Sequence, residues 1–424
     1  MRSGRPVTPR DVTVRLVPPT KPRLLVLNQY YWPGVEATAH LLSELCEGLA
    51  DDFEITVVTG HLHGHDELPD EDVHNGVRIV RVRSTAFDRT QLHLRAANYA
   101  SYLGDSILEA LRGPRPELVL CMTDPPIVGD IGLVVARRFG VPLLVISQDV
   151  FPEVAVRLQR LENPVLVGVL RGLVGLYLRR ADRIVAIGET MKKRLVEKGA
   201  RPERIAVIPN WVDTQAVQPR PHDNPWATKY RLTGRFVVMH SGNVGHAQDL
   251  DTLIRAGTFL RDIDDLLIAV VGFGARHAEV VGLAERLDLD DSRVRFRPYQ
   301  PREVLSDSLS AARLHFVGLA KGLSGYVVPS RLYGILAAGR PVIVGAESDS
   351  ETARLVSEVG CGVVVPPGRP ELVANVIRDA YDGRLDLDEM GARGREYVVA
   401  EADREVAIGR YRTLLKDLAA SGRL

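Results

Sequence analysis

Short apolar runs alternate with longer segments of helical period from about residue 23 onward. Runs rich in Val, Ile and Leu suit strands covered on both faces, and the helical segments between them supply the cover. In the first half the runs fall at 24–27, 55–58, 77–82, 118–121, 143–146, 184–187 and 205–208. After the first run, Leu41, Leu45 and Leu49 recur every fourth residue and stripe one face of a helix. The alternation breaks at Pro209-Asn-Trp-Val-Asp213 and a polar, proline-rich stretch up to Trp226, which reads as a hinge. It restarts with runs at 236–239, 266–271, 294–296, 314–317, 341–344 and 363–365.

The pattern predicts an α/β protein of two Rossmann-like, doubly wound domains facing across a cleft. At 424 residues the chain exceeds what one hydrophobic core usually serves. The expected division is a mobile tail (1–20), a first domain (21–208), the hinge (209–226), a second domain (227–402) and a closing amphipathic helix (403–424). In such sheets ligands sit beyond the carboxyl ends of the strands, where the strand order switches. Two sheets with those ends facing enclose one deep crevice.

Composition narrows the choice. Lys plus Arg and Asp plus Glu number 54 each, so no whole-protein charge invites nucleic acid, and no motif for it is present. Cys46, Cys121 and Cys361 lie far apart beside apolar residues, which fits small buried hydrophobes in a reducing compartment. The first twenty residues are basic and proline-rich without the apolar centre of a secretory signal. No run approaches the ~20 apolar residues of a membrane span; the nearest, 165–178, is interrupted by Arg171. A cytoplasmic protein is expected. Between Arg157 and Arg204, twelve Lys and Arg stand against five Asp and Glu. Beside an apolar helix, this suggests contact with the inner, anionic face of a membrane; a buried helix with a solvated basic neighbour is the alternative. His61, His63 and His65 could hold a metal adventitiously, but a solvated loop explains them and no metal is expected.

Two loops carry the chemistry. His240-Ser-Gly-Asn-Val-Gly245 follows a strand and precedes a helix, so its backbone can approach a phosphate near unpaired amides. A tight turn without a ligand is the alternative. The segment from Lys321 to Pro341 runs through Pro329-Ser330-Arg331 into a helix. Ser330 suits a helix cap, whereas Lys321 and Arg331 bracketing one turn would flank a diphosphate. Gly272-Phe-Gly-Ala-Arg276 lacks the third glycine of a dinucleotide fingerprint and reads as a tight turn facing the cleft.

These motifs, together with Tyr30-Tyr-Trp-Pro33, Thr123-Asp-Pro-Pro126 and Gln148-Asp-Val-Phe-Pro-Glu153, resemble retaining glycosyltransferases of family 4. The likeness is greatest to bacterial sugar transferases of the colanic-acid and O-antigen (fucosamine) kind. It implies the GT-B fold, a nucleotide diphosphate sugar in the second domain and an acceptor in the first. Gly242, Asn243 and Gly245 would meet the diphosphate through backbone amides, Lys321, Ser330 and Arg331 would compensate its charge, and Tyr299 would lie against the base. A packing role is the alternative for Tyr299. Tyr31, Pro33 and Glu36 would face the acceptor, and Asp149 is the first-domain carboxylate best placed for the sugar or acceptor hydroxyl. An ordinary turn role competes for Asp149.

The family's two glutamates are missing: their positions fall near Tyr326 and on Gly334. Glu351 is the substitute suggested for the ribose, against a plain helix-start carboxylate. The implied chemistry moves a sugar with retention onto an acceptor hydroxyl, without metal or cofactor, in cell-surface polysaccharide synthesis. The acceptor is lipid-linked or a small molecule. A natural-product transferase, a nucleotide-sugar epimerase and a catalytically silent sugar-nucleotide binder are the rivals.

Overall fold

The computed structural model describes residues 21–34, 37–62, 67–83 and 92–421. The tail 1–20, Glu36, His63 and His65 lie outside the described residues. Eight strands form the first sheet: β1 (Arg23–Leu27), β2 (Glu54–Gly60), β3 (Glu71–His74), β4 (Val77–Val82), β5 (Leu118–Met122), β6 (Leu143–Ser147), β7 (Arg183–Ala186) and β8 (Ile205–Val207). They lie in the order β3-β4-β2-β1-β5-β6-β7-β8. All neighbours are parallel except β3, which runs antiparallel along β4 at the edge. Each apolar run of the sequence became a strand; β3 is an addition. Its residues Glu71-Asp-Val-His74 carry no apolar signal and stay largely exposed.

The second sheet comprises β9 (Phe236–Ser241), β10 (Leu266–Val271), β11 (Val294–Arg297), β12 (Leu314–Gly318), β13 (Val342–Gly345) and β14 (Gly362–Val365). Its order is β11-β10-β9-β12-β13-β14, with every pair parallel. The chain winds outward from β9 to one side, then returns and winds to the other. The switch therefore falls between β9 and β12. In the first sheet it falls between β1 and β5.

The carboxyl ends of the two sheets meet. Val150 N, after β6, donates to Tyr326 O at 2.8 Å, and Asp149 pairs with Val327 in a short antiparallel bridge. The last helix, Arg404–Ser421, crosses back and buries Ile408, Tyr411, Leu415 and Leu418 against the helix Ala37–Leu49 of the first sheet. Gly48 permits this approach, since a Cβ there would lie 2.4 Å from Ile408 Cδ1. Cys46, Cys121 and Cys361 are all buried free thiols, as their apolar neighbours implied.

Candidate active site

At the second sheet's switch point the turn after β9 is built on glycine. Gly242 has φ +130°, a conformation that suits a residue without Cβ. A second turn, after β10, supports the first from below. A Cβ on Gly272 (φ +140°) would lie 1.9 Å from Gly242 O, and one on Gly274 would lie 2.3 Å from Asn243 Oδ1. The glycines of the 272–276 turn therefore serve close backbone stacking beneath the 242–245 turn. The loop after β12 closes the other side: Ala320 N donates to Ala247 O at 2.8 Å, placing Lys321 next to this contact. Lys321 is exposed and has no ion pair among the described residues.

Arg331 opens the helix Arg331–Ala337 and turns back to the end of β9. Its Nη1 lies 3.1 Å from His240 Nδ1 and 3.0 Å from His240 Nε2. Burial pushes the guanidinium down to about 10, and no carboxylate pairs with it among the described residues. A partly buried cation without a counter-ion is costly unless an anion completes it. Ser330 precedes this helix without capping it, since its side chain accepts no bond from the helix amides.

Not every amide of the first turn is available. Gly242 N donates to Val271 O at 2.9 Å, Val244 N to Phe273 O at 3.0 Å and Gly245 N to Gln248 Oε1 at 3.0 Å. The glycines here provide close backbone approach, and the amides expected of Gly242 and Gly245 as a cradle are bonded within the protein. The Gln248 side chain holds the amide of Gly245, a function the sequence did not suggest. Tyr299 stands 61% exposed just past β11 and Phe273 69% exposed just past β10. Two rings projecting from neighbouring strand ends offer an apolar surface beside the turn.

Two sequence assignments change. Glu351 does not reach into the crevice as a free carboxylate. Its Oε2 accepts both Thr190 N and Thr190 Oγ1 at 2.9 Å, across the domain boundary. The helix Glu189–Glu197 begins at Gly188, which has no side chain to cap it, so the second domain supplies the cap. Tyr31 is 1% exposed in the first-domain core beside Leu41 and Trp211, because an aromatic following a central strand buries more surface than it could offer an acceptor. Pro33, after a cis Trp32–Pro33 bond, remains half-buried at the carboxyl end of β1. Asp149 is exposed at the crevice, its backbone fixed by the bridge to Val327 and by Ser147 Oγ donating to its carbonyl at 3.1 Å.

The position of the family's first glutamate is occupied by a docking ring. Tyr326 lies between the guanidinium groups of Arg157 and Arg194, each 4.9 Å from its centroid. Gly334, at the second position, has only Leu309 Cδ1 near a would-be Cβ, at 3.6 Å. A further cluster ties the lobes together at the hinge: Glu44 accepts Arg302 Nη2 at 2.7 Å and Trp211 Nε1 at 2.9 Å, with His40 Nε2 at 3.1 Å. Asn210 and Gln148 exchange amide bonds of 2.9 and 3.1 Å.

Residues 34–211 match the glycosyl transferase 4-like domain and residues 226–397 the glycosyl transferases group 1 domain. This chain belongs to the glycosyltransferases of the family 4 type. The transferase is 26% identical to the glycosyltransferase WbjE of Pseudomonas aeruginosa over 74% of its own length and 78% of that protein. It is 29% identical to the colanic acid biosynthesis glycosyl transferase WcaI of Escherichia coli over 54% and 55% of the two chains. Among solved structures, HepE of Anabaena in complex with UDP and glucose superposes with a TM-score of 0.73 at 15% identity, covering 93% of this chain and 99% of that one. The transferase thus has the GT-B fold and acts within the hexosyl and glycosyl transfer class. No helix among the described residues is long and apolar enough to cross a membrane.

Proposed function

We propose that the transferase moves a sugar from a nucleotide diphosphate to an acceptor hydroxyl with retention, making a linkage of a cell-surface polysaccharide or glycoconjugate. The observation that carries this is Arg331, an uncompensated guanidinium set beside the glycine turns where the strand order switches. Departure of a nucleoside diphosphate builds charge on its β-phosphate, and a fixed cation stabilises that charge without reorganisation. Lys321 adds a mobile cation from the β12 loop, Asn243 and Ser330 offer polar contacts, and the exposed rings of Tyr299 and Phe273 offer a face for the base. Asp149 stands at the opposite wall for the sugar or acceptor. With the leaving phosphate taking the acceptor proton on the same face of the sugar, charge compensation falls to these side chains and no metal is assigned.

The acceptor we favour is lipid-linked, met at the cytoplasmic membrane face. Val165, Leu166 and Val169 project from the start of the helix Pro164–Arg180 with exposures of 75, 45 and 55%. The basic stretch 157–204 surrounds them. Sedimentation with anionic vesicles at low salt, reversed at high salt, is the expected behaviour; absence of binding at both would remove the membrane from the proposal.

The donor site is tested by calorimetry with UDP, GDP and dTDP. A hydrogen bond to a charged group is worth about 1.5–3 kcal/mol, so Arg331→Met should weaken the tightest of them about ten- to hundredfold. Unchanged affinity in Arg331→Met and Lys321→Ala would refute the donor site. Retention is read separately, from the anomeric coupling of the product by NMR.

A further inference from the structure

His240 is fully buried at the end of β9, whereas the side chains of Asn243, Tyr299, Lys321, Ser330 and Arg331 are exposed or half-buried. Its ring meets partners of opposite demand: the backbone carbonyls of Asn243 and Phe316 on one hand and the Arg331 guanidinium on the other. Asn243 O, 3.2 Å from Nε2, can only accept. Arg331 Nη1, within 3.1 Å of the ring, can only donate. A protonated ring has no lone pair for the arginine, and burial together with Arg331 pushes its pKa well below the ordinary histidine range. A neutral ring with the proton on Nε2 donates to Asn243 O and keeps its Nδ1 lone pair, with no added positive charge, beneath the Arg331 guanidinium, whose Nη1 stands nearly equidistant from the two ring nitrogens. Leu, Val or Ile in this strand position would pack as well and meet neither demand.

We propose that His240 is a positioning residue for the donor. Its neutral ring aims the Arg331 guanidinium at the departing phosphate and, through Asn243, locks that guanidinium to the glycine turn. The proposal rests on the assignment of Arg331 to the diphosphate. One side chain then couples the two phosphate loops, which are 91 residues apart between His240 and Arg331. Without it, the arginine keeps its charge but loses its aim, and the turn loses its anchor. The signal in the sequence is a polar ring at a strand position where its neighbours, Val237, Val238 and Met239, are apolar and buried.

The test uses the full chain and four proteins: wild type, His240→Leu, Arg331→Met and the double variant. UDP, GDP and dTDP are titrated, each beside its nucleoside. His240→Leu fills the space without a hydrogen bond. Losing one charge-assisted bond should weaken the tightest nucleoside diphosphate about tenfold while leaving the matching nucleoside within about twofold. In the Arg331→Met background the same substitution should cost less than about threefold, because the residue it positions is gone. His240→Asn, which retains an acceptor near Nδ1, should recover part of the loss and keeps the test open if His240→Leu does not fold. A full tenfold effect in both backgrounds, or equal losses for nucleoside and diphosphate, would reduce His240 to a packing residue and overturn the proposal. No loss in Arg331→Met, or no nucleotide binding by the wild type, would instead overturn the donor site on which the proposal stands.

Discussion

Glu44 offers the sharpest test of how the two lobes are held. It is 9% exposed, on the first-domain helix Ala37–Leu49, and it binds Arg302 of the second domain, Trp211 of the connecting segment and His40 one turn earlier. Burial alone would raise its pKa, but His40 and Arg302 outweigh this and hold it at about 2, against 4.5 when free. By linkage that displacement is worth at most about 3 kcal/mol of stability to the ionised form. The figure is a ceiling, since Arg302 is itself half exposed and its attraction is screened by water. The sign follows from the depressed folded pKa: the stabilisation is fully present above 4.5 and disappears as pH falls through about 2. Glu44→Gln keeps the volume and one acceptor but loses the charge, and its amide would point a donor at Arg302 or Trp211. Urea unfolding of the two proteins, followed by far-UV circular dichroism near pH 7.5, 5.5 and 3.5, should show a variant deficit of about 2–3 kcal/mol at the two higher values and a smaller one at the lowest. A variant as stable as the wild type near neutrality, or a deficit undiminished in acid, would refute the assignment of Glu44 as a charged tie between the domains.

Three further outcomes are expected. Gly272→Ala places a methyl 1.9 Å from Gly242 O at φ +140°, costing about 1–3 kcal/mol in backbone strain and displacing the 242–245 turn; with the donor site as proposed, nucleotide affinity should fall, and wild-type affinity in calorimetry together with an unchanged unfolding midpoint would contradict the stacking of the two turns. Tyr326→Ala removes a ring held by two guanidinium groups, each contact worth about 0.5–1 kcal/mol, so small-angle scattering should report a larger radius of gyration; an unchanged radius would show that the loop does not hold the lobes closed. Glu351→Ala uncaps the helix Glu189–Glu197 and should lower the unfolding midpoint by the worth of a cap, about 0.5–2 kcal/mol, without altering the preference for a ribose over a 2′-deoxyribose nucleotide; a loss confined to the ribose form would restore the sugar-binding role.

The strands were legible because a parallel strand buried on both faces writes itself as an unbroken apolar run, as Leu266–Val271 does with six buried residues in succession. Glu71–His74 was not, because an edge strand paired on one side needs no apolar face. The glycine turns and Arg331 were visible as motifs standing directly after strands. What the sequence could not yield is pairing at a distance. Glu351 and Thr190 are 161 positions apart, and Glu44 and Arg302 are 258 apart. Whether a carboxylate faces a ribose or caps a helix of the other lobe depends on how the lobes close, and no local spacing records that. Tyr31 failed for a related reason: an aromatic following a strand looks alike whether it points outward to an acceptor or inward beside Leu41.

The chain passes between its lobes twice, and the two passages lie side by side. Val212, on the way out, is bridged to Asp403, on the way back; Val212 N donates to Ala402 O at 3.1 Å, and Arg404 N donates to Val212 O at 3.0 Å. Arg404 also grips Asp213 at 2.7 Å. A single tether would let one lobe swivel freely on the other. Two tethers stitched into a ribbon resist twisting and sliding and leave one easy motion, a swing about the line of the ribbon. A swing of that kind would part the crevice like the covers of a book and bring the glycine turns and Asp149 back to the same register.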